Sequence, residues 1–169
     1  MVRYAEHPAV EVQAHVSAPP AVVWPLVSDI SLPARFSTEL VAAEWIDGAA
    51  GPCAGARFAG HNQHDAVGSW QVTCTVVTCD EQRAFSWIVG DPACPSARWG
   101  FELEAETDGT RLRQWASLGP GPSGLTQLIE SMPDKEERII ARRLGEHEGN
   151  MRRCVEGIKH LAEQTSDDR

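Results

Sequence analysis

The segment IIARRLGEHEGNMRRCVEGIKHLAEQ (139–164) restricts what this chain can fold into more than any other stretch. Ile140, Leu144, Met151, Ile158 and Leu161 recur at the spacing of one apolar face on a long α-helix. Such a helix is held mainly by burying that face, so the rest of the chain must supply a surface that receives it. The stripe is not uniform. At about 100° per residue, Cys154 and Ala162 fall within about 60° of His147, but so do Glu136, Arg143 and Asn150. The first half of the face therefore mixes polar groups with aliphatics, whereas the second half is almost wholly apolar. A helix laid on solid hydrocarbon has no reason to change character midway; one whose first half borders a cavity does. His147 is accordingly expected to face a pocket. The plainer readings are a core histidine satisfied by a backbone carbonyl, and an Arg143 that pairs structurally with Glu39 or Glu136. Gly145 and Gly149 fall on the outer side, each costing up to ~1 kcal/mol relative to Ala, so a bend or a covering loop is expected there.

The receiving surface is legible upstream. AVEVQAHVSA alternates Val10, Val12, Ala14 and Val16 against Glu11, Gln13 and His15, the pattern of a half-buried strand. APPAVVWPLVSDI follows as a short helix in which Pro25 must lie in the first turn or cause a kink, and LPARFSTEL as a second short helix or turn. Six strands come next: ELVAAEWID, GARFAGHNQ, GSWQVTCTVVTCD, RAFSWIVG, ARWGFELEAE and TRLRQWASL. Turn segments separate them closely, which favours an antiparallel meander. After GPGPSG comes a short helix, LTQLIESM, and Asp134 with Glu137 resembles a capping box at the start of the long helix.

Alternate residues share a sheet face. Sending Arg57 outward turns Phe58, Gly60, Asn62 and His64 inward. The same phasing turns Trp70, Val72, Cys74 and Val76, then Phe85, Trp87 and Val89, then Trp99, Phe101 and Leu103, then Leu112, Gln114 and Ala116 to the inner face, and leaves Trp115 outside. Glu39, Val41, Ala43 and Trp45 are expected to share a face on the second strand. Large aromatics with sparse convergent polar groups suit a small-molecule pocket, although any single ring serves equally well in a solid core.

A net charge of −9 argues against nucleic acid and against an anionic membrane surface. No run approaches the roughly 18 apolar residues of a membrane span, and MVRYAEHPAV lacks the apolar region of a signal peptide, so a cytoplasmic location is the expectation. The five cysteines form no C-x-x-C pair and read as reduced, mostly buried thiols. No metal site is expected. His61 and His64 point to opposite faces of a strand, and Glu146 and Glu148 point away from His147. Phosphate-cradling loops, H-E-x-x-H and the serine-nucleophile elbow are all missing.

The order strand, two short helices, six strands, long closing helix is the helix-grip plan (START/Bet v 1-like). The run APPAVVWPLVSDISLPARFSTEL, together with Trp45, RFAGHN, Trp70 and FSWIV, resembles bacterial polyketide cyclase/dehydrase and lipid-transport-like proteins of that superfamily. The resemblance implies an α+β fold in which a seven-stranded antiparallel sheet wraps the C-terminal helix, as one domain over 8–163 followed by a polar tail, 164–169. It implies a hydrophobic, aromatic or polyketide-like ligand, no cofactor, and an acyl-carrier protein or a second copy of the chain as further partners. Related aromatase/cyclases fold a reactive polyketide and help remove protons and water. In that reading His147 shuttles protons, Arg143 holds a developing oxyanion, and Glu39 and Asn62 orient hydroxyls or water. Trp70, Trp87, Trp99, Phe58, Phe101, Gln114, Glu136 and Met151 would complete the ligand site. A non-catalytic carrier, sequestering or sensing protein needs only the cavity and explains the tryptophans as well. Partner binding through the outer face around Trp115 is the third reading.

Overall fold

The structure is a computed structural model describing residues 2–167, with side chains described through 165. After a 3-10 turn at Tyr4–Glu6, the chain forms β1 (Ala9–Val16), α1 (Pro20–Val27), a 3-10 turn at Leu32–Arg35, and β2 (Leu40–Ile46). Then come β3 (Arg57–His64), β4 (Gly68–Asp80), β5 (Ala84–Val89), β6 (Ala97–Glu106), β7 (Gly109–Leu118), α2 (Gly124–Ser131) and α3 (Glu136–Asp167). The strands make one antiparallel sheet in the order β1-β7-β6-β5-β4-β3-β2, so a meander of neighbours is completed by β1 pairing across to β7. This is the expected helix-grip α+β architecture. The second short helix is a 3-10 turn, and Pro25 sits in the second turn of α1. No helix among the described residues is long and apolar enough to cross a membrane.

The register pairs the inward residues as their alternation requires: Phe58 with Cys74, Gly60 with Val72, Asn62 with Trp70, Trp87 with Trp99, Phe101 with Gln114. The second strand departs from simple alternation. A bulge between Leu40 and Ala42 turns Val41 out to 59% exposure, so Val41 does not share a face with Ala43 and Trp45.

Three apolar clusters result. The largest joins Val12 and Val16 of β1, Val23 and Val27 of α1, Phe101, Leu112 and Ala116 of the sheet, and Met151, Cys154, Val155, Ile158 and Ala162 of α3. A second, around Ile30, Phe58, Cys74, Val76 and Phe85, is covered by Trp24 of α1, whose ring meets Phe85 edge-on. The third unites Tyr4, Leu118 and Ile140 beneath α2. Tyr4 is a fixed point of the fold: its hydroxyl donates to the carbonyls of Ser96 and Gly121, and its amide donates to Glu136. Residues ahead of position 8 are thus part of the packing. At the other end α3 continues through Asp167 across most of the expected tail, with 168 and 169 outside the described residues.

Two local expectations are corrected. A 3-10 turn at Pro133–Lys135 leads into α3, and the described contacts include no capping bond from Asp134; the reciprocal cap belongs to α2, where Ser123 Oγ accepts from Leu125 and Ser123 N donates to Thr126 Oγ1. No loop covers Gly145, because a Cβ there would meet open space. The glycine that α3 needs is Gly157, where an added Cβ would lie 2.3 Å from the ring of Phe36.

This contrast sets up a paired experiment. Gly145→Ala should raise the urea midpoint by an amount worth up to about 1 kcal/mol, through helix propensity. Gly157→Ala should lower it by about 1–3 kcal/mol, because overpacking against Phe36 outweighs the same propensity gain. Shifts of the same sign would contradict the seating of Phe36 on α3.

Candidate functional site

The C-terminal half of α3 lies along β1 and β7, with α1 wedged beside it. Its N-terminal half therefore overhangs the inner face of the remaining strands without an apolar seam to them. Asn62, Trp70, Val72, Trp87, Val89 and Trp99 point inward by register yet are only half-buried. We refer to the inner face around them, on the side of the N-terminal half of α3, as the trough. Trp87 and Trp99 stack on it in parallel, with centroids 6.5 Å apart and planes 6° apart, and Phe58, Phe85 and Phe101 surround Trp87 at tilted or edge-on angles.

His147 hangs over this floor. It is 6% exposed, and its ring meets Trp99 edge-on at 4.7 Å. No hydrogen bond from the described residues reaches the imidazole, so the core histidine satisfied by a carbonyl is not what the chain builds. Burial, aided by the nearby positive charge of Arg143, holds its pKa down at about 3. The ring is neutral throughout the physiological range.

The rim is a polar clasp. Arg143 donates from both terminal nitrogens to Glu39, at 2.6 and 2.5 Å, and from Nη1 to Glu146 at 3.0 Å. Burial opposes the guanidinium charge, but hydrogen bonds and attraction from Glu39 and Glu146 outweigh it and raise the Arg143 pKa above its ordinary value. His64, from the end of β3, approaches Glu146 at 3.9 Å. Glu39 is held in place by its own segment. Ser37 Oγ accepts from the amides of Glu39 and Leu40, and the Glu39 carbonyl accepts from Gln63. Thr38 donates to Asn150 and Arg153 to the Phe36 carbonyl.

Of the residues singled out by sequence, His147, Trp87 and Trp99 come together, with Phe58 and Phe101 buried around them. Asn62 and Trp70 face each other at the open end. Gln114 and Met151 are buried toward β7, and Gln114 Oε1 is a fully occluded atom without a partner. Arg143 and Glu39 meet, but as each other's partners. Glu136 is drawn away to the Tyr4 amide, and Asn150 to the Thr38 segment. Glu146, expected to point elsewhere, is a member of the clasp; its i,i+3 relation to Arg143 was the available signal. Where an enclosed cavity was expected, the His147 ring packs on Trp99, and surface depressions lie instead at the 46–57 loop and beside Pro20, Arg83 and Leu103. His15, Glu106 and Asp108 gather donor atoms within 4.8 Å, but on the surface, where Arg111 already engages Glu106.

Because the folded-state pKa of His147 lies below the ordinary 6.5, the unfolded chain binds the extra proton between these values. This contribution to stability is complete above about pH 6.5 and is lost as the pH falls toward 3, with a slope of up to about 1.4 kcal/mol per pH unit. His147→Gln removes the titration. Its urea midpoint should fall less steeply than that of the wild type between pH 6.5 and 4, whereas parallel curves would mean that the ring is not buried in its neutral form.

Comparison with known proteins agrees with this architecture. The solution structure of the Polyketide_cyc-like protein Cgl2372 from Corynebacterium glutamicum is similar at 26% identity and a TM-score of 0.64, over 95% of this chain and 94% of that one. MLL2253 from Mesorhizobium loti is similar at 21% identity and a TM-score of 0.62, over 94% and 98%. The di-domain ARO/CYC StfQ from the steffimycin biosynthetic pathway matches at 12% identity and a TM-score of 0.67, over 94% of this chain but 51% of StfQ. The last two are likenesses of fold alone. No curated protein matches. The profile described as polyketide cyclase / dehydrase and lipid transport spans residues 7–147, from the segment ahead of β1 to the imidazole on α3, and the chain belongs to that family.

Proposed function

We propose that the chain binds a hydrophobic, aromatic small molecule in the trough between α3 and strands β2–β6. One observation carries this reading: tryptophans aimed at the concave face remain half-buried beside a neutral imidazole that has no protein partner. A finished core would close over such rings. A flat ligand stacking on Trp99 or displacing it would gain the aromatic area, with His147 as a neutral hydrogen-bonding group. The clasp of Arg143, Glu39 and Glu146 forms the rim. Nothing in this reading requires an acyl-carrier protein or a second copy of the chain.

Cyclisation and dehydration by acid–base catalysis rank below binding. Protonating His147 at pH 7 from a pKa of about 3 costs roughly 5 kcal/mol. The guanidinium that would hold an oxyanion is already engaged by two carboxylates. A ligand would have to rearrange the clasp before Arg143 served chemistry.

N-phenyl-1-naphthylamine, an uncharged dye that brightens in apolar surroundings, should bind and report the trough. Trp99→Leu should weaken its binding at least about tenfold, a loss of about 1.4 kcal/mol. Trp115→Leu, on the outer face over Gly100, should leave it unchanged. Equal effects of the two substitutions would remove the trough as the site. Should binding survive His147→Gln while turnover of a reconstituted polyketide substrate drops a hundredfold, catalysis would regain first place.

A further inference from the structure

Gln114 projects from the middle of β7 onto the inner face, opposite Val12 and Phe101, and is 4% exposed. Its Oε1 is the one fully occluded side-chain polar atom without a partner among the described residues. The same strand shows what a satisfied polar side chain looks like: Thr110 donates its hydroxyl to the Ala18 carbonyl at 2.7 Å. Gln114 has no such bond, although a leucine of similar size would fill a solid core without leaving an unpaired carbonyl. On the neighbouring strand the next inward residue is Trp99, which carries the edge-on contact with His147. Gln114 is paired with Phe101, whose ring meets Trp87 at 6.2 Å, so the orphan acceptor lies one inward position from the ring stack.

The electrostatics of the rim point the same way. Arg143 is the cation bordering the trough, and Glu39 and Glu146 both hold it. Arg153, nearby on α3, is engaged by the Phe36 carbonyl and Asn150. The inward positions of the described strands include no lysine or arginine. An anionic ligand would meet two carboxylates and no unpaired cation, with its own charge desolvated.

Building on the binding role above, we propose that the trough selects an uncharged molecule whose hydroxyl or N–H donates to Gln114 Oε1, and rejects carboxylate- or phosphate-headed molecules of the same size. Gln114 is the specificity-determining residue. Stacking on Trp87 and Trp99 responds to ring area and shape, whereas an unpaired carbonyl distinguishes a ligand that brings a donor from one that does not.

Three probes of one ring system test this in the full chain: 2-naphthol, naphthalene and 2-naphthoate, titrated at pH 7 and followed through the tryptophan indole N–H resonances. The expected order is 2-naphthol about tenfold tighter than naphthalene, the effect of one buried hydrogen bond, with 2-naphthoate at least as weak as naphthalene. Gln114→Leu should bring the naphthol-to-naphthalene ratio close to one while raising the thermal midpoint, a combination that mere loss of structure does not produce. Gln114→Met makes the same comparison if the leucine variant folds poorly. Equal wild-type affinities for naphthol and naphthalene, or tightest binding of naphthoate, would overturn the selectivity and leave the binding role standing. Failure of all three probes to bind would remove the binding role as well.

Discussion

The structure depends on where α3 is glued down. Met151, Cys154, Val155, Ile158 and Ala162 bury the C-terminal half of the helix against β1, β7 and α1. Met151, Val155 and Ile158 each gain about 1.5–3 kcal/mol on burial and the smaller Cys154 and Ala162 less, so this seam fixes the helix axis. An axis held over one end of a seven-stranded sheet cannot also cover the other end. The half-buried inward positions Asn62, Trp70, Val72, Trp87, Val89 and Trp99 are thus a consequence of how the helix is anchored.

The remaining joints accept that geometry. Ile140 and Leu144 anchor the start of α3 through Tyr4 and α2, outside the main core. Between the two anchors the helix reaches the β2–β3 side through polar contacts: Arg143 to Glu39, Glu146 toward His64, and Asn150 to Thr38. Such contacts are directional and add less net stability than apolar packing, because desolvation offsets much of their attraction. They set the span of the trough, while the apolar seam sets the fold.

Environment decides chemistry here more than residue identity does. His147 and His64 are the same residue type, yet burial leaves one as a neutral ring over Trp99 while the other reaches a carboxylate at the rim. Arg143, attractive as an oxyanion holder in isolation, arrives with its charge already met. Membership of the family brings a fold with many uses, and the fold by itself does not choose among them.

Alternation and helical period were sufficient to read the succession of strands along the chain, the inward set from Phe58 to Ala116, and the change of character along α3, because those patterns arise from local backbone geometry. Tertiary structure alone decided the rest. The bulge that turned Val41 outward depends on pairing with β3. Glu136 went to the Tyr4 amide, and Gly157 was needed for Phe36, through contacts between segments more than a hundred residues apart. The sequence offered Arg143 and Glu39 either as groups of one site or as a structural pair, and packing decided for the pair and added Glu146 to it. Periodicity tells which side of an element a residue occupies; which partner waits there is a question of distance in space, and a one-dimensional pattern carries no record of it.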